Sequence, residues 1–131
     1  MTTKAEKTKQ FILEKVAPIF NKNGYVGTSL SDITKATDLT KGAIYGNYKN
    51  KEDLALEAFN FNVRFLLSNI KEILEEIDSP IEKLLAISDF HKKDIERELN
   101  AGGCPILNVG VDTKYSNPEL FARVKIVVVR I

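Results

Sequence analysis

The chain has 131 residues, of which 44% are hydrophobic and 28% charged, and this composition fits a soluble protein able to bury a sizeable core. No apolar run approaches the length of a membrane span and the amino terminus is polar and lysine-rich, so we expect neither a membrane segment nor a secretory signal. The single cysteine, Cys104, excludes an intramolecular disulfide and a zinc site built from cysteines. These properties predict a cytoplasmic protein with no membrane contact, no metal and no cofactor.

The net charge of +1 is divided unevenly along the chain. Residues 1–51 carry nine lysines against four acidic residues, a charge of +5, whereas residues 52–131 carry a charge of −4. Only the first segment is therefore expected to be attracted to phosphate groups. Exposed helices often carry lysine, so this asymmetry gains weight only from the motif that coincides with it.

Apolar residues recur with a period near 3.6 along almost the whole chain, which predicts an all-α fold. The expected helices span about residues 3–23, 29–37, 41–48, 51–77, 80–99, 104–112 and 117–131. Gly24 ends the first helix, and Pro18 inside it predicts a kink or a tightened last turn because proline lacks a backbone N–H. The fourth helix carries one predicted apolar stripe, formed by Leu54, Ala58, Phe61, Phe65, Leu66, Ile70, Ile73 and Ile77.

Residues 28–48 fit a helix-turn-helix, in which a bracing helix and a tight turn precede a helix whose first residues meet base edges. Thr28 or Ser29 caps the first short helix, and Thr40 caps the second. The small internal core is expected to consist of Ile33, Ala36, Leu39 and Ile44. This pattern predicts a three-helix DNA-binding unit at the start of the chain.

The second short helix opens with small residues that would let its backbone approach a DNA duplex. Lys41 is expected to reach a phosphate or a guanine, and the Ala43 methyl group can meet a thymine methyl. Gly42 between them adds no bulk. We therefore interpret residues from Thr40 onward as a recognition helix.

The same residues resemble the signature of the TetR family of bacterial repressors, densely over residues 8–57 and by helix order beyond. The matching segments are Gly24-Tyr25, Thr28 to Ile33, Leu39 to Tyr45, Tyr48, and Lys51 to Leu54. Gly46 departs from the bulkier polar residue often found there, which puts a base contact at that position in doubt. It should also loosen the recognition helix by up to about 1 kcal/mol relative to alanine.

The resemblance implies which residues contact double-stranded DNA. Expected near phosphates are Thr28, Thr40, Tyr45, Tyr48 and Lys51, and expected near base edges are Lys41, Gly42, Ala43 and Asn47. Ser29 is a further expected DNA-binding residue. Core packing is the alternative for the two tyrosines, because buried aromatic rings with a wet hydroxyl are common. The alternative for Lys51 is a solvated lysine at a helix start, although an anion there would offset its unfavourable position.

The family resemblance also implies an effector-responsive repressor that binds a palindromic operator as a homodimer. We expect a helix-turn-helix domain at 1–50 and a helical effector-binding and dimerisation body at 51–131. Candidate contacts for an unknown small-molecule effector are Phe61, Phe65, Phe90, His91 and Cys104. Ordinary core packing is the alternative for the aromatic residues and for His91, which falls on the apolar face of the fifth helix.

Cys104 follows two glycines at a predicted helix start, where the helix dipole favours a thiolate. Cys104 could thus make the protein a regulator that senses oxidants or electrophiles. The alternative is that Cys104 is a small buried hydrophobic residue with no sensing role. A helical module that no longer binds DNA is a further alternative. An enzyme that uses the Cys104 thiol is not expected. His91 is its only possible base, and the sequence has neither a glycine-rich phosphate loop nor a carboxylate pair. The chain stops before the family's usual dimer bundle, which predicts either an incomplete body or another mode of dimerisation.

Overall fold

The computed structural model describes residues 3–93, 100 and 102–130, and within those ranges it contains helices and turns but no strand. The helices are α1 (Lys4–Asn23), α2 (Leu30–Thr37), α3 (Lys41–Asn47), α4 (Lys51–Leu74), α5 (Pro80–Lys93), α6 (Pro105–Thr113) and α7 (Pro118–Arg130). The all-α prediction is confirmed. α4 ends three residues earlier than expected, and the predicted continuation of α5 over residues 94–99 lies outside the described residues.

Local hydrogen bonds explain where α2 and α3 begin and where α1 ends. Ser29 accepts a hydrogen bond from the Asp32 backbone N–H while the Asp32 carboxylate accepts one from Ser29, so the cap of α2 is Ser29 and not Thr28. The Thr40 hydroxyl accepts from the Ala43 N–H at the start of α3. α1 runs through Pro18 to Asn23, and Gly24 ends it with φ +79° as the sequence predicts.

One continuous core joins the first three helices to the start of α4. The contributions of α1 include Ile12, Val16 and Phe20, and those of α2 and α3 are Ile33 and Ile44. The remaining buried members of this cluster are Leu13, Ala17, Tyr48, Leu54, Ala55, Ala58 and Leu120. Since α4 and α7 contribute to it, the helix-turn-helix unit packs on the body without an intervening gap.

The predicted apolar stripe of α4 is partly wrong. Phe65 is 54% exposed, whereas Phe59 and Val63, outside the predicted stripe, are buried. These two side chains form a second core cluster with Val124 and Val127 of α7. The shift arises because α4 packs on α1 along one side and on α6 and α7 along another, so its buried residues lie on two sides of the helix and not along one stripe.

α5 has no buried residue and packs mainly against α4. Ile81, Leu84 and Leu85 are 71%, 69% and 64% exposed. His91 is exposed as well, so the interpretation of this residue as a core histidine is wrong. None of the described helices combines the length and the apolar character needed to cross a membrane.

Candidate nucleic-acid interface

The turn between α2 and α3 is fixed by hydrogen bonds and by one unusual backbone conformation. Asp38 is left-handed, with φ +56°, and its N–H donates to the Thr34 carbonyl. The Thr37 hydroxyl donates to the Ile33 carbonyl at 2.8 Å and accepts from the Leu39 N–H at 3.3 Å. These contacts close the three-residue turn from 38 to 40 and set the angle at which α3 leaves α2.

α3 buries one side and exposes the other. Ile44 is fully buried in the first core cluster, while Thr40, Lys41 and Gly42 at the start of the helix are exposed. Ala43 is half-buried. The leading end of the predicted recognition helix therefore lies open on the surface of the protein.

Two glycines of α3, Gly42 and Gly46, have no packing reason to be glycine. A methyl group at Gly46 would meet nothing within 4 Å, and one at Gly42 would come no closer than 3.9 Å, to the Thr40 hydroxyl. Glycine inside a helix costs about 1 kcal/mol relative to alanine. The absence of side chains here thus leaves the exposed face of α3 thin without any benefit to the core.

Asn47, the last residue of α3, is held within its own helix. Its side-chain amide donates a 2.8 Å hydrogen bond to the Ala43 carbonyl, and the residue is half-buried. One amide hydrogen is therefore already engaged before any base approaches. The side-chain oxygen is the group that a base donor would meet.

The structure separates the two tyrosines that the sequence treats alike. Tyr45 is half-buried at the edge of the first core cluster. Tyr48 is 4% exposed, and its hydroxyl donates to the Lys9 carbonyl at 2.9 Å. Burial, assisted by the nearby carboxylates of Glu57 and Asp53, raises the pKa of Tyr48 to about 12. The expectation of a phosphate contact for Tyr48 is corrected, because this hydroxyl is engaged inside the protein.

The expectation of a phosphate contact for Thr28 is corrected for a similar reason. Its side chain is fully buried, and the hydroxyl donates to the Gly24 carbonyl at 2.7 Å. The neighbouring Ser29 is exposed. The hydrogen bonds from the Ser29 backbone and side chain, with smaller effects of Lys35 and Lys51, lower the pKa of the Asp32 carboxyl. Ser29 is thus the more accessible of the two hydroxyl residues, although it already caps α2.

Lys51 begins α4 and lies against an aromatic ring. Its ammonium nitrogen is 4.5 Å from the centroid of the Tyr25 ring, within the range of a cation–π interaction. Both residues are half-buried. Tyr25 belongs to the Gly-Tyr pair in the sequence motif, but the sequence pattern alone gave this ring no role beside Lys51.

The candidate effector residues have different environments. Phe61 packs against the first core cluster, whereas Phe65 is exposed. Phe90 and His91 meet edge to face with ring centroids 5.5 Å apart. Cys104 is exposed at the cap position of α6, so the buried-hydrophobe alternative for it is wrong, and thiol sensing stays a prediction.

A cleft between α1, α4, α6 and α7 offers room for about one water molecule, far less than a drug-sized ligand needs. None of the five effector candidates is among its lining residues, which are Phe20, Asn21, Tyr25, Ala55, Phe59, Asn62, Val109, Asp112 and Leu120. This cleft therefore supports no assignment of an effector. The five effector contacts stay predictions.

An exposed short helix behind a tight turn, carried on a three-helix core, defines a helix-turn-helix protein. Residues 12–58 match the family model described as "Bacterial regulatory proteins, tetR family". The HTH-type transcriptional regulator AcrR of Shigella flexneri is 39% identical over 69 residues, which are 53% of this chain and 30% of AcrR. These matches support a regulator of the TetR family.

Two further similarities agree with this family. The biofilm operon icaADBC HTH-type negative transcriptional regulator IcaR of Staphylococcus epidermidis is 35% identical over 65 residues, 47% of this chain and 35% of IcaR. A crystal structure of a TetR-family transcriptional regulator from Cytophaga hutchinsonii superposes with a TM-score of 0.93 at 35% identity, covering 99% of this chain and 65% of that one. The chain thus spans about a third of these two curated relatives and about two thirds of the solved structure.

Proposed function

We propose that the chain is a sequence-specific DNA-binding transcriptional regulator that inserts the start of α3 into a major groove. The observation that carries the proposal is the exposed leading end of α3, held on a buried core by Ile44 and by the bonded turn behind it. The match of residues 12–58 to the model of a family of bacterial regulatory proteins supports the same function. Recognition helices of this kind meet base edges with their first residues.

The proposed contacts follow from exposure and chemistry. Lys41 lies at the first position of α3 and is assigned to a phosphate or to the acceptors of a guanine. Gly42 and Ala43 let the helix approach closely, and Asn47 offers its side-chain oxygen to a base donor. The phosphate set comprises the accessible or half-buried residues Ser29, Thr40, Tyr45 and Lys51. Thr28 and Tyr48 are omitted because their hydroxyls bond inside the protein.

We further propose that the regulator is an effector-responsive repressor acting as a homodimer on a palindromic operator. The name of IcaR, a negative regulator, supports repression. A symmetric pair would place its two recognition helices about 34 Å apart, in successive major grooves. α4 connects the start of the body directly to the helix-turn-helix core, so a shift of α4 would change that spacing. Light scattering of the protein bound to DNA tests the dimer, since one chain per duplex would contradict it.

The experiment that tests the main proposal is a selection of bound duplexes from a randomised DNA library. The recovered duplex then serves to compare the chain with two lysine variants. Lys41→Ala should lose about 1 to 3 kcal/mol of binding free energy and reduce the slope of log affinity against log salt by about one. Lys71→Ala is the control, since Lys71 lies far along α4 and pairs with Glu75 on an exposed surface. Recovery of no duplex, or equal losses for the two variants, would overturn the proposal.

A further inference from the structure

Asp112, near the end of α6, contacts the junction between α1 and α2. Its carboxylate accepts a 2.8 Å hydrogen bond from the backbone N–H of Tyr25, a residue 87 positions earlier in the chain. Charged acceptors make stronger hydrogen bonds to backbone N–H groups than neutral ones do. The bond therefore joins the body of the protein directly to the segment that leads into the helix-turn-helix.

Gly24 is what allows the carboxylate to come this close. A methyl group built on Gly24 would lie 3.0 Å from the nearer Asp112 oxygen, and the residue has φ +79°, which other residues rarely adopt. The glycine that ends α1 thus also leaves room for α6. A side chain at this position would strain the backbone and push the Asp112 carboxylate away by a few tenths of an ångström.

The ring of Tyr25 connects this bond to the proposed DNA surface. The Lys51 ammonium lies 4.5 Å from its centroid, and the ring packs against the first core cluster. A long lysine side chain is otherwise mobile, and ordering it on binding costs conformational entropy. A ring fixed by a backbone anchor beside it holds the ammonium near one position before DNA arrives.

A second link between α6 and α1 makes no use of Tyr25. The side-chain amide of Asn108 donates to the carbonyl oxygen of Asn21 at 3.1 Å, and the Asn21 amide donates to the Gly103 carbonyl at 2.9 Å. This link lies about one helical turn before Asp112 on α6. It therefore provides a matched control that loosens α6 from α1 without removing the anchor of Tyr25.

We infer that Asp112 is a positioning residue for DNA binding, which acts by anchoring Tyr25 so that its ring holds the Lys51 ammonium at the phosphate backbone. The inference rests on the proposed function in one respect, namely that Lys51 contacts a phosphate. A lysine held in place neutralises its phosphate fully, whereas a displaced one does not. The salt dependence of binding reports this difference, because each phosphate neutralised contributes about 0.9 to the slope of log affinity against log salt.

The test measures that slope with the duplex recovered from the randomised library. Asp112→Ala should flatten the slope by up to about 0.9, as Lys51→Gln does, and the double variant should show no further loss. Asp112→Asn keeps an oxygen that can accept from the Tyr25 N–H, so it should retain the original slope. Both Asp112 variants lose the same charge, so a difference between them reports the hydrogen bond and not the net charge. Asn108→Ala should leave the slope unchanged.

Two outcomes separate this inference from the function beneath it. If Lys51→Gln flattens the slope but Asp112→Ala matches Asp112→Asn, the positioning role is wrong and the phosphate contact stands. If Lys51→Gln leaves the slope unchanged while Lys41→Ala lowers it, the assignment of Lys51 and the positioning role both fail although DNA binding survives.

Should Asp112→Ala fail to fold, Tyr25→Leu and Tyr25→Phe decide, since both keep the backbone bond. Only Tyr25→Leu should flatten the slope, and an unchanged slope would overturn the inference.

Discussion

Tyr45 and Tyr48 lie three positions apart at the end of the recognition segment, yet only one of them is available to another molecule. The hydroxyl of Tyr48 donates to the Lys9 carbonyl and so ties the residue after α3 to α1. Tyr45 is half-buried at the edge of the same core. The two hydroxyl groups should therefore affect different properties of the protein.

Tyr48→Phe should lower the free energy of unfolding by about 0.5 to 1.5 kcal/mol, because it removes one intramolecular hydrogen bond and leaves the Lys9 carbonyl without that donor. Chemical denaturation at neutral pH measures the change. Tyr45→Phe is the matched control, and it should weaken DNA binding while leaving the unfolding midpoint near that of the parent chain. Equal stability of the parent and Tyr48→Phe would contradict the assigned bond.

The raised pKa of Tyr48 predicts a dependence of stability on alkaline pH. The folded state holds the phenol proton more tightly than the unfolded state does, with a pKa of about 12 against an ordinary 10.0. The contribution to stability is thus fully present below pH 10 and is lost as the pH rises towards 12. Between pH 10 and 12, the melting temperature should fall more steeply with rising pH for the parent than for Tyr48→Phe. Identical pH profiles would contradict the prediction.

Residue patterns predicted which helices form, but they did not predict which hydroxyl group caps α2. A threonine and a serine stand side by side before α2, and either suits a cap. Ser29 takes that role, while the Thr28 hydroxyl turns back to the Gly24 carbonyl. The choice depends on how α1 ends against α2, which is tertiary information that the local sequence lacks.

At the level of single elements, α3 is short and contains two glycines, so packing rather than intrinsic propensity stabilises it. Gly46→Ala should raise the free energy of unfolding by about 0.5 to 1 kcal/mol, since the added methyl group meets nothing within 4 Å. Gly24→Ala is the contrasting variant, and it should be destabilised because of its φ of +79° and the Asp112 carboxylate 3.0 Å away. Urea denaturation measures both, and destabilisation by Gly46→Ala would contradict this description of α3.

α4 shows where prediction from periodicity stops. Its amphipathic pattern and its cap were sufficient to predict a long helix from Lys51. Which side chains it buries depends on α6 and α7, whose residues lie 31 or more positions beyond the end of α4. Phe59 and Val63 are buried for that reason, and no local pattern selects them over Phe65.

For the molecule as a whole, the first core cluster runs across the predicted boundary at residue 50. The division into a domain at 1–50 and another at 51–131 stays a prediction, and it is best regarded as a division of proposed roles. α6 adds two further connections, from Asn108 to Asn21 and from Asp112 to Tyr25. These polar links join residues 87 positions apart, and helical periodicity gave no signal for them.

Backbone amide NMR shifts, recorded while the recovered duplex is added, test most directly whether the start of α3 enters a DNA groove. We expect the largest shifts at residues Thr40 to Ala43, the exposed leading end of α3, with smaller ones at the half-buried Lys51, which is proposed to contact a phosphate. An unrelated duplex at the same salt concentration is the control and should shift the phosphate-facing residues more than the base-facing ones. Shifts confined to α5, α6 and α7, with residues 40–43 unmoved, would contradict the proposed mode of binding.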